Sequence, residues 1–590
     1  MTTNWQTTGP LPSMTLTWPF RGAGLASLGV EGEPEAEPMP ACGPEQVLVR
    51  VDALGLCASD AKMVRMGQDY PLFFPRDFAA HPARLGHEAA LTVIEAGERW
   101  RDHYRPGQRL GVQASVYNDG LRTIFGVNLP GAMAQYLVLD EAVLAGDAGS
   151  YVFPVPDSLT YVDIALLEPW ACVDVAYTPV RRLAPKPGGT LWIRGRPGGP
   201  DHYTMSQPLT SARVVLTDVP SELATWVKSQ PVEVIEHNAS ATYTMLHSGT
   251  SSNLQPATST PLRFGTSCHL QPVTCNFDDI ILLDPDSAEV VAQSIDCLAY
   301  GGLLTLVTDR PLDGLVNVDV GRLHYETLSI TGCTGPDIAA AYGVVRNRSE
   351  LRPGGVTLII GAGGTLGRMH TQRALEMANG PAAVIVTNRG QERLHRLAAD
   401  FGPLAAAAGI ELVAVSPAAE PGRLEREVER LTGGRGCDDV VVVVPDAGVI
   451  AQAASYLAPD GMLVVFAGLP VGSKAPLPLD RVALHGAQFT GTSGSTVADE
   501  LAVLDKITAG ALSPARSLAA IGGMRAMAAG IQAVMDHIYP GKIVIFPQLV
   551  DLPLLALSEL HARLPRVAAC LGPGGTWSVA AEEALFEGWL

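Results

Sequence analysis

Two kinds of hydrophobic pattern divide the chain. From about Glu45, short apolar runs alternate with Gly and Pro turns: Gln46-Val-Leu-Val-Arg-Val51, Ala90-Leu-Thr-Val-Ile94 and Gln135-Tyr-Leu-Val-Leu139. That spacing predicts small antiparallel β structure, a partly open barrel. Pro106-Gly-Gln-Arg-Leu-Gly-Val112 reads as a turn followed by a strand. From about Pro187 the pattern becomes strands alternating with helix-length segments, which predicts a parallel α/β sheet. A second such segment starts near Pro353. Residues 1–20 read as a polar tail, the Ser/Thr-rich stretch Asn238–Thr274 as loops, and a helical pattern lies around Leu552–Leu571.

The two α/β segments resemble each other. Pro187-Gly-Gly-Thr-Leu-Trp-Ile-Arg-Gly195 matches Pro353-Gly-Gly-Val-Thr-Leu-Ile-Ile-Gly361, and Val214-Val-Leu-Thr-Asp218 matches Val384-Ile-Val-Thr-Asn388. Asp278-Asp-Ile-Ile-Leu-Leu-Asp-Pro-Asp286 matches Asp438-Asp-Val-Val-Val-Val-Val-Pro-Asp446, and Ile330-Thr-Gly332 matches Phe489-Thr-Gly491. The order is unchanged and the offsets stay between about 159 and 170 residues, which predicts an internal duplication.

Composition narrows the class. A length of 590 residues corresponds to three to five domains at roughly 100–200 residues each. Net charge is −19, which argues against a nucleic-acid or anionic-membrane partner but not against a phosphorylated ligand. No apolar stretch reaches membrane-span length, and no basic start precedes an apolar run, so neither a span nor a signal peptide is expected. Nine cysteines without CxxC spacing argue against a disulfide framework and a four-cysteine zinc lobe. The expected location is the cytoplasm.

Ile359-Ile-Gly-Ala-Gly-Gly-Thr-Leu-Gly367 follows an apolar strand and opens a helical run from Thr365 to about Met377. Glycines let the backbone approach a pyrophosphate, and the helix N-terminus supplies N–H groups and dipole. The candidate nucleotide-binding residues are Gly361, Gly363, Gly364, Thr365, Leu366 and Gly367, with Asn388 and Arg389 at the end of the next strand. An acidic residue there would hold the ribose 2′-OH; its replacement by Asn388-Arg389 tilts the cofactor from NAD toward NADP. The first copy reads Gly195-Arg-Pro-Gly-Gly-Pro200 and ends its second strand in Asp218. Pro208 and a short polar run stand where a helix is needed, so this copy is expected to be structural; a second nucleotide or effector site is the alternative.

Gly55-Leu-Cys57-Ala-Ser59-Asp60, Gly86-His87-Glu88 and Glu168-Pro169 contribute zinc-ligand residue types. Taken with the glycine loop and the closing Pro540-Gly-Lys-Ile-Val-Ile-Phe-Pro547, these segments resemble the zinc-containing medium-chain alcohol and polyol dehydrogenases. Val127-Asn-Leu-Pro-Gly131, Gly491-Thr-Ser-Gly-Ser495 and Ala520-Ile-Gly-Gly523 are similar to its sorbitol dehydrogenase and sorbose-1-phosphate reductase branch. The resemblance implies that Cys57, His87 and Glu168 hold a catalytic zinc, that Glu88 is an alternate ligand or acts beside it, and that Asp60 supports the ligands. Ser59 would relay the substrate proton. Lys62 stands where many members carry a relay histidine. Gly97–Gly131 contains no Cys, so the structural zinc is expected to be absent.

The family plan further implies a GroES-like catalytic domain built from both chain ends, here with two tandem Rossmann-like doubly wound parallel-sheet domains inserted. The expected boundaries are 1–185, 186–335 (the degenerate copy), 336–510 and 511–590. The copies are expected to pair edge to edge as a monomeric pseudo-dimer with one continuous sheet, which leaves a higher oligomer open. The implied activity is NAD(P)-dependent, zinc-dependent hydride transfer to or from a polyol, sugar or sugar phosphate. Two alternatives remain at this point. One is a lyase or epimerase that uses a tightly held cofactor transiently. The other is a nucleotide-sensing scaffold.

Overall fold

The computed structural model describes residues 11–589 apart from 74, 178–181, 238–276 and 345. The stretch Asn238–Thr274 expected as loops therefore lies outside the described residues. The described chain forms two compact units, one of residues 11–172 and 494–589, the other of residues 173–237 and 277–493.

The first unit is built on an eight-stranded sheet. At its centre Val47–Leu56 pairs antiparallel with Glu88–Ala96 on one side and with Lys542–Phe546 on the other. The two chain ends thus complete one sheet, as the family plan implies. Tyr136–Leu139 also pairs with Val47–Leu56, and Arg109–Val112 follows Glu88–Ala96. The apolar runs seen in the sequence supply the core: Val47, Val49, Val51, Leu91, Val93, Leu137 and Ile545 lie in one buried cluster. The C-terminal segment differs from the single helical pattern expected over Leu552–Leu571. Pro565 cannot continue a helix and splits it into Leu560–Arg563 and Pro565–Ala568, and a longer helix, Val579–Trp589, follows. From that helix Glu582 reaches back to accept the Tyr161 N–H at 2.7 Å and the Trp577 indole N–H at 3.2 Å. A carboxylate from the C-terminal helix so caps the helix Tyr161–Ala165.

The second unit holds two six-stranded parallel sheets. The first contains β1 (Thr190–Arg194), β2 (Arg213–Thr217), β3 (Glu233–His237), β4 (Phe277–Leu283), β5 (Leu298–Val307) and β7 (Ser329–Cys333), in the order β3-β2-β1-β4-β5-β7. The second contains β8 (Val356–Ile360), β9 (Ala383–Thr387), β10 (Glu411–Val415), β11 (Cys437–Val442), β12 (Leu457–Val465) and β14 (Gln488–Gly491), in the order β10-β9-β8-β11-β12-β14. Both are the order of a doubly wound dinucleotide fold. Smaller features repeat as well. Arg182 and the Lys186 N–H bind Asp279, as Arg348 and the Arg352 N–H bind Asp439. Asp278 accepts the Thr190 N–H and Asp438 the Val356 N–H, each at 2.9 Å. The register shift in β4 between Phe277 and Asp279 recurs in β11 between Cys437 and Asp439.

The continuous sheet is not formed. Two short strands, β6 (Val316–Asp319) and β13 (Lys474–Leu477), pair antiparallel in a separate ladder between the halves, while β7 and β14 run side by side without a ladder. The apolar side chains explain this: Val316, Val318, Ala475 and Leu477 are all fully buried and belong to one core spanning both sheets. The β6–β13 ladder and side-chain burial, rather than pairing of β7 with β14, join the halves, which share one core.

The glycine loops of the halves differ. Gly361 and Gly195 are held alike, their N–H groups donating to Thr387 and Thr217 carbonyls. After Gly361 (φ +91°) the chain enters a twelve-residue helix, α2 (Thr365–Glu376). After Gly195 no helix forms before β2. Instead Arg196 turns onto Asp284, with Nε and Nη2 at 2.8 and 2.6 Å, and Arg310 binds the other carboxylate oxygen at 2.8 Å. The position matching Asp284 in the second half is the apolar Val444.

Candidate active site

The site in the first unit is assembled at the end of the central strand. Cys57 ends Val47–Leu56 in extended conformation and opens the helix Ala58–Met66. Asp60 accepts the Cys57 N–H at 3.0 Å and the Gly86 N–H at 3.3 Å, tying the helix start to the Gly86-His87-Glu88 turn. Glu88 begins the neighbouring strand, directly opposite Gly55. A Cβ at position 55 would stand 2.2 Å from the Glu88 carboxylate, so glycine makes the room that the carboxylate occupies.

These elements bring Cys57, His87 and Glu88 together. One ligand atom from each lies within 4.8 Å of the others. Ser59 Oγ stands 3.1 Å from His87 Nε2, and His87 Nδ1 lies 3.4 Å from Asp60 Oδ1. His87 is buried, and its Nδ1 makes no hydrogen bond. Burial opposes its protonation, but Asp60 and Cys57 outweigh that and hold its pKa well above an ordinary histidine. Sulfur, imidazole nitrogen and carboxylate oxygen within reach of one another are the donor set of a zinc site that keeps an exchangeable position, and such an ion fits this cluster.

Glu168 is half-buried on the helix Leu167–Val175, outside the group of three. Its Oε1 is 3.5 Å from Cys172 Sγ, and burial raises its pKa against the opposing pull of His87. Lys62 is exposed on the helix that carries Ser59 and makes no hydrogen bond or ion pair among the described residues. Sequence reading missed Lys542. Its Nζ lies 2.6 Å from the Glu88 carboxylate and donates to the Leu56 carbonyl at 3.2 Å. The available signal was a lone cation opening the apolar strand Lys-Ile-Val-Ile-Phe. Glu500 was also missed. It is fully buried with neither carboxylate oxygen hydrogen-bonded, and burial raises its pKa strongly. Its signal was a glutamate on the same i, i+3, i+4 stripe as Val503 and Leu504.

The nucleotide motif in the second unit has the expected form. Gly364 precedes α2, and a Cβ at Gly367 would meet the Gly361 carbonyl at 2.4 Å, so helix and loop close on each other. Thr365 is half-buried and Leu366 exposed at the helix start. Asn388 packs against Gly363, where a Cβ would stand 2.7 Å from its side chain, and its amide donates to the Gly390 carbonyl at 3.2 Å. Arg389 is exposed at the end of β9. Among the described residues no helix is long and apolar enough to cross a membrane.

Residues 43–146 match the family profile described as alcohol dehydrogenase GroES-like domain, and residues 365–509 that described as zinc-binding dehydrogenase. The chain is 30% identical over 356 residues to L-sorbose 1-phosphate reductase of Klebsiella pneumoniae, covering 55% of this chain and 78% of that one. It is 29% identical over 260 residues to mannitol-1-phosphate 5-dehydrogenase of Aliivibrio fischeri, covering 41% and 59%. To sorbitol dehydrogenase of Gallus gallus it is 28% identical over 200 residues, covering 31% and 52%. The chain thus spans little more than half the length of the last two.

Proposed function

This chain belongs to the zinc-containing medium-chain alcohol and polyol dehydrogenases, and on that premise we propose that it interconverts the alcohol and ketone forms of a polyol, sugar or sugar phosphate with NAD(P) as hydride carrier. One observation carries the reading: Cys57, His87 and Glu88 place their donor atoms within 4.8 Å of one another, with the Ser59 hydroxyl beside them. The same chain bears a glycine loop opening a long helix. The names of the relatives favour a hexitol or ketose, free or phosphorylated, as substrate.

Cys57, His87 and Glu88 would hold the zinc, with half-buried Glu168 as a further ligand. When bound, zinc supplies Lewis-acid polarisation of an alcohol or carbonyl oxygen and the nicotinamide supplies hydride chemistry. The chain's own residues do the rest. Asp60 orients the imidazole of His87. Lys542, buried together with Glu88, balances its charge. Ser59 accepts the alcohol proton at its hydroxyl and passes it outward, with Lys62 as the exposed end of that route. Gly361, Gly363, Gly364, Thr365, Leu366 and Gly367 cradle the pyrophosphate, and Asn388 and Arg389 meet the adenosine ribose. Arg389, with no acidic residue beside it, favours NADP.

The repeated strand order, aspartate pair and register shift support reading 186–335 and 336–510 as two copies of one nucleotide-binding fold inserted between 1–185 and 511–590. The ladder of β6 with β13 supports an intramolecular pseudo-dimer. The Arg196–Asp284 ion pair in the first loop supports a structural role for that copy. The test is a panel of polyols, sugars and sugar phosphates read by nicotinamide absorbance under each cofactor. Turnover of a polyol or its phosphate is expected, and substrate consumed without an absorbance change would replace this reading with a lyase or epimerase.

A further inference from the structure

The first half of the second unit grips one particular loop of the second half. The helix α1 (Val320–Tyr325) follows β6, and the loop Phe466–Ser473 follows β12. The Asp319 carboxylate accepts the Gly472 N–H at 2.7 Å, and the Val320 N–H donates to the Ser473 carbonyl at 2.9 Å. Gly321 lies so close to Pro470 that a Cβ would meet its carbonyl oxygen at 2.4 Å. His324 Nδ1 lies 3.3 Å from the Val465 carbonyl oxygen, and its ring stands edge-on to Phe466. A Cβ on Gly468 would stand 2.4 Å from the Tyr325 hydroxyl.

The helix packing is reciprocal, since the matching helix Asp480–His485 lies on β7 and β5 as α1 lies on β14 and β12, but the side-chain grip on the loop is one-sided. Aligning Ile330-Thr-Gly332 with Phe489-Thr-Gly491 sets His324 and Tyr325 against Ala483 and Leu484. An imidazole and a phenol thus occur on the half whose own glycine loop is filled by an ion pair, and they face the half whose loop opens a full helix. The contact continues inward. Phe466 stands edge-on to His370 with ring centroids 4.5 Å apart, and His370 lies on α2. In this strand order the adenosine end of a dinucleotide follows β8 and β9, so its nicotinamide end falls at the carboxyl ends of β11 and β12. The loop Phe466–Ser473 begins there.

We propose that His324 and Tyr325 are positioning residues for the nicotinamide end of the cofactor, acting through Phe466 and Gly468. The first copy then serves as a built-in partner that completes the second copy's site rather than as a second nucleotide site. This inference rests on the dehydrogenase reading. Tyr325 is 37% exposed, so the ring can be altered without opening a sealed core.

Two ligands separate positioning from general damage: NADP+, and 2′-phospho-ADP-ribose, which lacks the nicotinamide. Tyr325→Ala and Gly468→Ala should each weaken NADP+ binding about tenfold, as expected for a sub-ångström misplacement, while 2′-phospho-ADP-ribose binding stays within about twofold. Adding Tyr325→Phe to Gly468→Ala removes the hydroxyl that the new methyl would strike and should recover most of the loss. Equal weakening of both ligands, or unchanged NADP+ binding in folded variants, would overturn the proposal. Wild-type protein that binds neither ligand nor their unphosphorylated counterparts would overturn the dehydrogenase reading itself.

Discussion

Lys542 Nζ lies 2.6 Å from the carboxylate of Glu88, and both side chains are closed off from solvent. Burial opposes the lysine charge, but Glu88 and Cys57 more than offset it and raise its pKa. Removing one member of such a pair leaves the other charge buried and alone. Lys542→Met should therefore cost about 3–5 kcal/mol of stability, read as a shifted denaturant midpoint. Lys542→Met with Glu88→Gln should recover a large part of that cost. An exposed pair would show neither effect.

The position of Ser59 against His87 predicts a separable defect. Ser59→Ala should keep the metal, because no donor is lost, and should lower kcat by about 10²–10⁴-fold through loss of proton transfer. Its pH–rate profile should also change shape. A variant with normal kcat would remove Ser59 from the proton route.

The cap from Glu582 to the Tyr161 N–H predicts a pH effect. Burial raises the Glu582 carboxyl from 4.5 to about 7 against the pull of its hydrogen bonds. A carboxyl with a raised folded pKa contributes stability below its unfolded pKa and loses it as pH rises through the folded one. The loss between about pH 4.5 and pH 7 amounts to about 3 kcal/mol. Glu582→Gln keeps an acceptor for the cap and cannot ionise, so its melting temperature should gain on wild type steadily across that interval. Parallel curves would contradict the assignment.

At the end of β9, Asn388 and Arg389 stand where an acidic residue would repel a 2′-phosphate. Arg389→Ala should raise KM for NADP about tenfold, the scale of one exposed charge-assisted contact, and leave KM for NAD nearly unchanged. Equal effects on both cofactors would place Arg389 away from the ribose.

What the sequence disclosed follows from how local each feature is. The glycine loop and α2 were legible because strand, turn and helix are consecutive, and the expected helix from Thr365 to about Met377 is observed as Thr365–Glu376. Cys57, His87 and Glu88 were readable as ligand types, but their convergence depends on the antiparallel register that sets Gly55 opposite Glu88. Lys542 is 454 residues from Glu88, and no local pattern links them. The continuous sheet was a wrong inference because edge strands alone do not reveal that Val316, Val318, Ala475 and Leu477 bury their side chains between the halves. Arg196 was visible in the first glycine loop, but its partner Asp284 follows β4, 88 residues on, and is brought to it by the fold.

On the proposed function, Cys57, His87 and Glu88 hold the metal of a redox-active site. That assignment is tested most directly by measuring zinc content and nicotinamide-linked turnover together, in wild type and in Cys57→Ser. Bound zinc and turnover of a polyol or sugar phosphate are expected in wild type, and loss of both in Cys57→Ser. Full turnover in Cys57→Ser with metal near zero would contradict the assignment.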